Sequence, residues 1–376
     1  MKIGVITIWY GDSNYGMIWQ CWALQKYLKD LGHKPYVIKF IPLGSIFFRI
    51  AYYLLQHIRM IKDKQLRQEL HNKRVNKEIN KKRLFDDFRS KNISFSPRSY
   101  KTIEKLKLFP PKADCYISGS DQIWGASLKY LNYRAYFLDF GKSTTRRVAY
   151  APSFGRKSYP QKDLKKLYRL LSHYDYVSCR EKDGVDICKR ANIGAIKVED
   201  PTLLISAEEY LKQCKPITYR NYVFIYSLNI ERSEDVYFDE LNKIFDKKHI
   251  IVTTADGFFP GVELFGNDVI YEYATPEIWL SLIANSDLVV TSSFHGIVFS
   301  IILNRKFAFI PLKGKLAESN NRIFDLLERL EMNFAIVHTG DDFNRLLHHN
   351  YDWASVNIRL KEVMTGSKDF LDSALS

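Results

Sequence analysis

The stretch "DLVVTSSFHGIVFS", residues 287 to 300, decides how the chain is read. Leu288 to Thr291 is a short apolar run of strand type, and Ile297 to Ile302 supplies the apolar face of a helix. Ser292, Ser293, His295 and Gly296 therefore fall at the turn between them. A strand running directly into a helix is the unit of a parallel sheet. Its turn lies at the carboxyl edge, where ligands bind and the first helical N–H groups attract anions.

The same unit recurs on both sides of this stretch. Upstream, strand-like runs at Lys2 to Ile8, Tyr36 to Phe40, Cys115 to Ser118, Arg147 to Ala151, Tyr176 to Ser178 and Ala195 to Val198 alternate with helical periods at Tyr15 to Leu31, Gln161 to Ser172 and Lys182 to Ala191. After "DPTLLIS", where Asp200 and Pro201 read as a joining turn, with contact to a substrate as the alternative for Asp200, a second series begins. Its strands are expected at Tyr222 to Ser227, Ile250 to Thr253, Val269 to Tyr271, Leu288 to Thr291 and Phe307 to Pro311. The pattern predicts an α/β protein of two Rossmann-like domains facing across a cleft, over 1–205 and 206–349. The closing segment, 350–376, is predicted to pack back on the first domain.

Composition narrows the class. Of 376 residues, 46% are hydrophobic and 14% aromatic, which excludes a disordered chain. The net charge of +14 favours anionic partners. Five scattered cysteines form no CxxC pair, and no His and carboxylate grouping has metal-ligand spacing, so neither a disulfide framework, a metal nor a cofactor is expected. A cytoplasmic protein fits best. The amino-terminal stretch lacks the features of a signal peptide, and the longest apolar run, Ile41 to Leu55, falls short of the roughly 20 residues that span a bilayer. Between residues 46 and 91, 13 Lys and Arg face five acids, so more than half of the excess charge is concentrated there. Its opening, "IFFRIAYYLLQHIRMI", mixes aromatic, aliphatic and basic residues. Such a helical insertion suits either an anionic membrane surface or a solvated cover for the first domain. No recognised nucleic-acid motif accompanies the charge, and a nucleic-acid partner is not expected.

Several other strand ends carry polar groups. "YGDSNYG" offers Asp12, Ser13 and Asn14, "SGSDQIWG" offers Ser120, Asp121, Gln122 and Trp124, and "YAPSFG" offers Ser153. "SCREKDG" brings Arg180 and Glu181. The first turn has neither GxGxxG nor a Walker lysine, so dinucleotide and P-loop readings are weak. Trp19, Trp22, Trp279 and Phe294 occupy helical positions and read as core. Trp124, beside the expected cleft, is a candidate for stacking on a sugar face.

Taken in order, "GDSNYG", "SGSDQIW", "YAPSFG", "SCREKDGVD", "EDPTLL", "SSFHG" and "NNRIFDLL" resemble the polysaccharide pyruvyl transferase family over roughly residues 1 to 330. The resemblance implies a glycosyltransferase-B-like fold, phosphoenolpyruvate as donor, and a sugar hydroxyl pair as acceptor that receives pyruvate as a ketal. It implies a donor site containing His295 and Arg180. Many members carry an arginine two residues before the histidine, where this chain has Ser293, which leaves Arg322 of "NNRIF" as the substitute cation.

The chemistry suits those residue types. Phosphoenolpyruvate bears a carboxylate and a phosphate, which call for Arg forks and helix N-terminal amides. An imidazole beside a dianion is held protonated near neutral pH, so His295 can deliver a proton to the methylene carbon or stabilise the departing phosphate. Asp12 or Asp121 can accept the proton of the attacking hydroxyl. The expected substrate contacts are Arg180, Arg322, Ser292, Ser293, Gly296, Ser13, Asn14, Ser120, Gln122, Trp124 and Ser153. The acceptor is expected in surface polysaccharide assembly, carried on a lipid diphosphate at the inner face of the membrane. Two other readings stay open: a nucleotide-sugar glycosyltransferase of the same fold, and a non-catalytic scaffold for glycan assembly.

Overall fold

The computed structural model describes residues 1–42, 75, 77–125, 130–230, 232–246, 249–255, 264–266 and 268–376. Two sheets organise it. The first contains β1 (Lys2–Ile6), β2 (Lys34–Phe40), β3 (Phe95–Tyr100), β4 (Cys115–Ser118), β5 (Arg146–Ala149), β6 (Tyr176–Cys179) and β7 (Ile196–Lys197) in the order β3-β2-β1-β4-β5-β6-β7. The second contains β8 (Val223–Ser227), β9 (Ile250–Thr254), β10 (Ile270–Tyr271), β11 (Leu288–Thr291) and β12 (Phe307–Phe309) in the order β10-β9-β8-β11-β12. Every pairing within them is parallel. All residues of β8, β9 and β11 are buried, as strands covered on both faces require. These are two doubly wound, Rossmann-like sheets. Strand order reverses between β1 and β4 in the first and between β8 and β11 in the second.

α-Helices connect and cover the strands, among them α1 (Tyr15–Asp30), α2 (Phe85–Asn92), α3 (Ile103–Leu108), α4 (Gln161–Leu171), α5 (Lys182–Arg190), α6 (Ala207–Leu211), α7 (Phe238–Ile244), α8 (Pro276–Asn285), α9 (Phe294–Ile302), α10 (Asn321–Arg329), α11 (Asp342–His348) and α12 (Trp353–Leu375). α1 departs from the one-sided pattern of a surface helix, since most of its residues are buried. A helix apolar on nearly all sides must be enclosed, and this one lies between the two domains. Tyr15 stacks on Trp279 with ring centroids 5.1 Å apart and planes 6° from parallel, and Trp19 meets Phe299 at 6.0 Å and Tyr210 at 5.8 Å. Tyr15 Oη donates to the Ala274 carbonyl at 2.7 Å and accepts from Arg83 Nη1 at 2.7 Å; the same nitrogen donates to the Thr254 carbonyl at 2.8 Å. One apolar cluster consequently runs from the first sheet through α1 into the second domain, while a separate cluster fills the other face of the first sheet. The expectation of two domains facing across a cleft is thereby refined. Aromatic packing fuses one side of the junction, and an open cavity persists on another.

The last helix, α12, lies against the first domain. Ser367 Oγ accepts the Glu199 N–H at 2.8 Å, Arg146 Nη1 donates to the Ala374 and Ser376 carbonyls, and the Phe370 ring approaches Tyr150.

Two regions differ from the sequence reading. β3, "FSPRSY", was not anticipated: Pro97 and few apolar residues hide the strand pattern, and an edge position tolerates the proline. The described end of the 46–91 segment fits the reading of a cover with solvated lysines, since Lys77, Lys81, Lys82 and Lys91 are exposed while Ile79 is buried, but two of its arginines depart from it. Arg83 and Arg89 are buried, as are Phe85 and Phe88 of α2, so part of the positive surplus works inside the fold. Residues 43–74 and 76 of that segment lie outside the described residues. Among the described residues no helix is long and apolar enough to cross a membrane.

Candidate functional site

The reversal points of the two sheets meet. From the first come the turns after β1 and β4, and from the second the turn after β11. Asn14 caps α1 by accepting the Met17 N–H at 3.0 Å, and Ser293 caps α9 by accepting the Gly296 N–H at 3.4 Å. Both turns are drawn tight at glycines. A Cβ on Gly16 would lie 2.0 Å from His295 Nδ1, so the imidazole rests directly on the first turn of α1. A Cβ on Gly296 would lie 2.7 Å from Thr291 Oγ1, so its absence lets α9 close on β11.

Asp200 is the centre of the polar network. Its side chain is fully buried, just after β7 and before the 3-10 turn Pro201–Leu204. Oδ1 accepts the Thr202 N–H at 3.0 Å and hydroxyl at 2.8 Å. Oδ2 accepts from Ser120 Oγ at 2.9 Å and from Arg180 Nη1 at 3.0 Å, and lies 3.6 Å from His295 Nε2. Burial alone would raise this carboxyl, but His295, then Arg180 and the Thr202 N–H, outweigh it and hold the group well below the usual carboxylate range.

A cavity of about 460 Å³ opens beside this network between the two domains. Arg180, Gln122 and Ser153 line it from the first domain, and Phe294 and Arg322 from the second. Both guanidiniums lie over the Phe294 ring, Arg180 at 5.7 Å and Arg322 at 4.8 Å from its centroid. Arg180 is 4% exposed; burial disfavours its charge, but Glu181, bonded to Nε at 2.9 Å, and Asp200 more than restore it. For Arg322 the same acids, Glu181, Asp121 and Asp200, do not make up the loss. Burial, followed by the like charge of Arg180, pushes its pKa down to about 10, so it remains cationic near neutral pH under strain. Arg180 Nη2 and Arg322 Nε are each buried without a hydrogen-bond partner. Unmet donors on two adjacent cations are the kind of group that a compact anion would satisfy.

The remaining expected site residues divide into two groups. Gln122 and Ser153 reach the cavity, although the Ser153 hydroxyl already accepts the Gly155 N–H at 3.0 Å. His295 meets the network through Asp200 but is not among the cavity's lining residues. Asp121 holds φ +88, a costly conformation for a residue with a side chain, and its Oδ1 accepts the Gln122 N–H at 2.7 Å. Its charge acts on both Arg180 and Arg322. Asp12 does not line the cavity: it is paired with Arg89 Nη2 at 2.6 Å, and Ser13 lies half-buried beside it. Ser120 serves Asp200, Ser292 Oγ donates to the Leu228 carbonyl at 2.6 Å, and Asn14, Ser293 and the Gly296 amide are engaged in helix caps. These residues shape the site, with their polar groups already paired, instead of presenting them to a ligand.

Trp124 requires a correction. It is fully buried, stacked on Phe137 at 5.3 Å with its Nε1 donating to the Tyr136 carbonyl at 3.1 Å, and cannot stack on a sugar. Phe294 reads as core from its helical position and is core: it is 4% exposed and belongs to the apolar cluster, while it also lines the cavity near both guanidiniums. Asp200 also has a larger part than a joining turn. The "EDP" of "EDPTLL" was the available signal, but an Asp before Pro satisfies local turn chemistry and does not reveal distant partners. Among the described residues no group of three or more His, Cys, Asp or Glu could hold a metal ion.

Comparison with solved structures finds chains of similar fold at low identity. UDP-GlcNAc 2-epimerase from Neisseria meningitidis is 11% identical, with 100% of each chain covered and a TM-score of 0.49. The epimerase from Methanocaldococcus jannaschii is 13% identical, with 96% of this chain and 99% of that one covered and a TM-score of 0.48. The glycosyltransferase VinC is 12% identical, with 100% and 99% covered and a TM-score of 0.44. No curated protein matches. The family profile described as polysaccharide pyruvyl transferase matches residues 14–313, from the cap of α1 to beyond β12. Spanning both sheets and the turns that bring Arg180, Asp200 and His295 together, that match shows that the chain belongs to the polysaccharide pyruvyl transferase family.

Proposed function

We propose that this transferase moves the pyruvate group of phosphoenolpyruvate onto two hydroxyls of a sugar residue in a polysaccharide precursor, forming a ketal. The observation that carries the donor assignment is the pair Arg180 and Arg322, which both line the cavity near Phe294 and each keep a buried, unmatched donor. Two fixed cations suit a small molecule that bears both a carboxylate and a phosphate. His295 supplies the proton that converts the donor methylene to a methyl group, leaving an oxocarbenium-like carbon. The two sugar hydroxyls add to that carbon as its bond to the phosphate oxygen breaks. Of their two protons, one restores His295 and the other leaves with phosphate. Asp121, whose charge both arginines feel, is the base that takes the first hydroxyl proton and passes it to the departing phosphate.

Purified protein incubated with phosphoenolpyruvate and candidate acceptor glycans is expected to release phosphate and add the mass of a pyruvate ketal. Arg322→Gln should raise the donor KM at least tenfold. Uptake of a sugar nucleotide with no turnover of phosphoenolpyruvate would sink the assignment.

The acceptor in this reading is a lipid-diphosphate-linked precursor, and the enzyme works peripherally at the inner membrane face. The support is the cationic and aromatic composition of residues 46 to 91, which suits an anionic interface. Flotation with anionic vesicles should retain the protein at low salt. Absence of binding at low and high salt alike removes this part.

A further inference from the structure

We propose that Asp200 is the positioning residue that assembles the donor site across the two domains, through one oxygen that holds Arg180 from the first and draws His295 from the second. The inference rests on the donor reading above and concerns how that site is built.

The two carboxylate oxygens have separate tasks. Oδ1 is occupied entirely by Thr202, N–H and hydroxyl, and builds the turn that begins the link between domains. Oδ2 has no part in that turn. It gathers Ser120 from the end of β4, Arg180 from the end of β6 and His295 from the first turn of α9. With Nη1 bound to Asp200 and Nε to Glu181, Arg180 can present only its remaining nitrogen, Nη2, to an incoming ligand, and Nη2 is the atom that lacks a partner. The imidazole is similarly confined, with Nδ1 against Gly16 and Nε2 toward Asp200. At 3.6 Å that nitrogen makes no hydrogen bond, so it is directed by the carboxylate without being consumed by it. The carboxylate therefore orients both groups and leaves Arg180 Nη2 and His295 Nε2 without a hydrogen-bond partner.

Asp200→Asn separates the two tasks. The amide oxygen can still accept from Thr202, while its NH2 faces Arg180 and His295 as donor against donor. Expected outcomes are a rise of about tenfold in the KM for phosphoenolpyruvate, from the released Arg180, and a fall in kcat of about a hundredfold or more, the range for a misdirected general acid. Because Asp200 acts on kcat through His295, the double variant D200N/H295Q should have the kcat of H295Q alone, within about twofold. Thr202→Val, which alters only the Oδ1 side, should lower Tm while leaving donor KM and kcat near wild type.

A folded D200N with kcat and KM within twofold of wild type overturns the inference, and so do D200N and H295Q effects that simply multiply. If D200N does not fold, Ser120→Ala gives the test: loss of the hydroxyl beside Oδ2 and Arg180 Nη1 should raise donor KM severalfold, and an unchanged KM overturns the proposal. If wild-type enzyme does not turn over phosphoenolpyruvate, the donor reading fails by itself. Inorganic phosphate is then the probe: it should raise the Tm of wild type and not of D200N, and equal shifts overturn the Asp200 inference.

Discussion

At the residue scale, the site is governed by which side chains retain an unpaired polar atom. Arg180 and Arg322 each keep a buried N–H without an acceptor, whereas Asp12, Ser120 and Ser292 are already engaged by Arg89, Asp200 and the Leu228 carbonyl. His295 depends on a residue with no polar side chain at all. Gly16→Ala would place a methyl group 2.0 Å from Nδ1 and drive the ring from its position. The expected result is a loss of about a hundredfold in kcat with circular dichroism close to wild type, the scale set by a displacement of roughly 1 Å in a catalytic group. Steady-state kinetics with phosphoenolpyruvate, paired with a thermal melt, checks it; wild-type kcat would mean that the ring position is immaterial.

At the element scale, α9 shows how a helix start can be both structural and functional. Ser293 caps it, Phe294 forms the cavity wall, His295 reaches Asp200, and Gly296 permits contact with β11. The cap explains what serine does at a position where many family members carry arginine, while Arg322 on α10 brings the second guanidinium to the same ring. Ser293→Ala should therefore cost about 1 kcal/mol in urea unfolding, within the range for a lost N-cap. Its effect on the donor KM should stay within about threefold, and a larger rise would show the hydroxyl to be a donor ligand. The strands and longer helices were legible because buried parallel strands read as unbroken apolar runs. β3 was not, since an edge strand containing Pro97 and Arg98 has neither alternation nor an apolar run.

At the scale of the whole molecule, the domains are joined by a shared core. Tyr15 and Trp19 pack with Tyr210, Tyr226, Trp279 and Phe299 across the junction, and the apolar cluster is continuous through it. Such a junction should unfold as a unit: far-ultraviolet circular dichroism and tryptophan fluorescence are expected to report one coincident transition. Trp279→Ala should lower stability by about 3–5 kcal/mol, the usual cost of removing a buried large aromatic, and do so for both domains together. Two separated transitions would contradict the continuous core.

The sequence by itself determined the two βα series, the strand ends that carry polar groups, and the ordered motifs that place the chain in its family. These are local properties: a buried strand, a helix start and a turn each leave a signature within a few residues. The tertiary structure alone decided the fate of individual side chains at those ends. Trp124 enters the core, Phe294 stays in it while also lining the cavity, and Arg83 and Arg89 are drawn inward from a segment that reads as surface charge. Asp200 finds partners on β4, β6 and α9, far from it along the chain. Burial and hydrogen-bond satisfaction are set by neighbours in space, and no spacing along the chain records them.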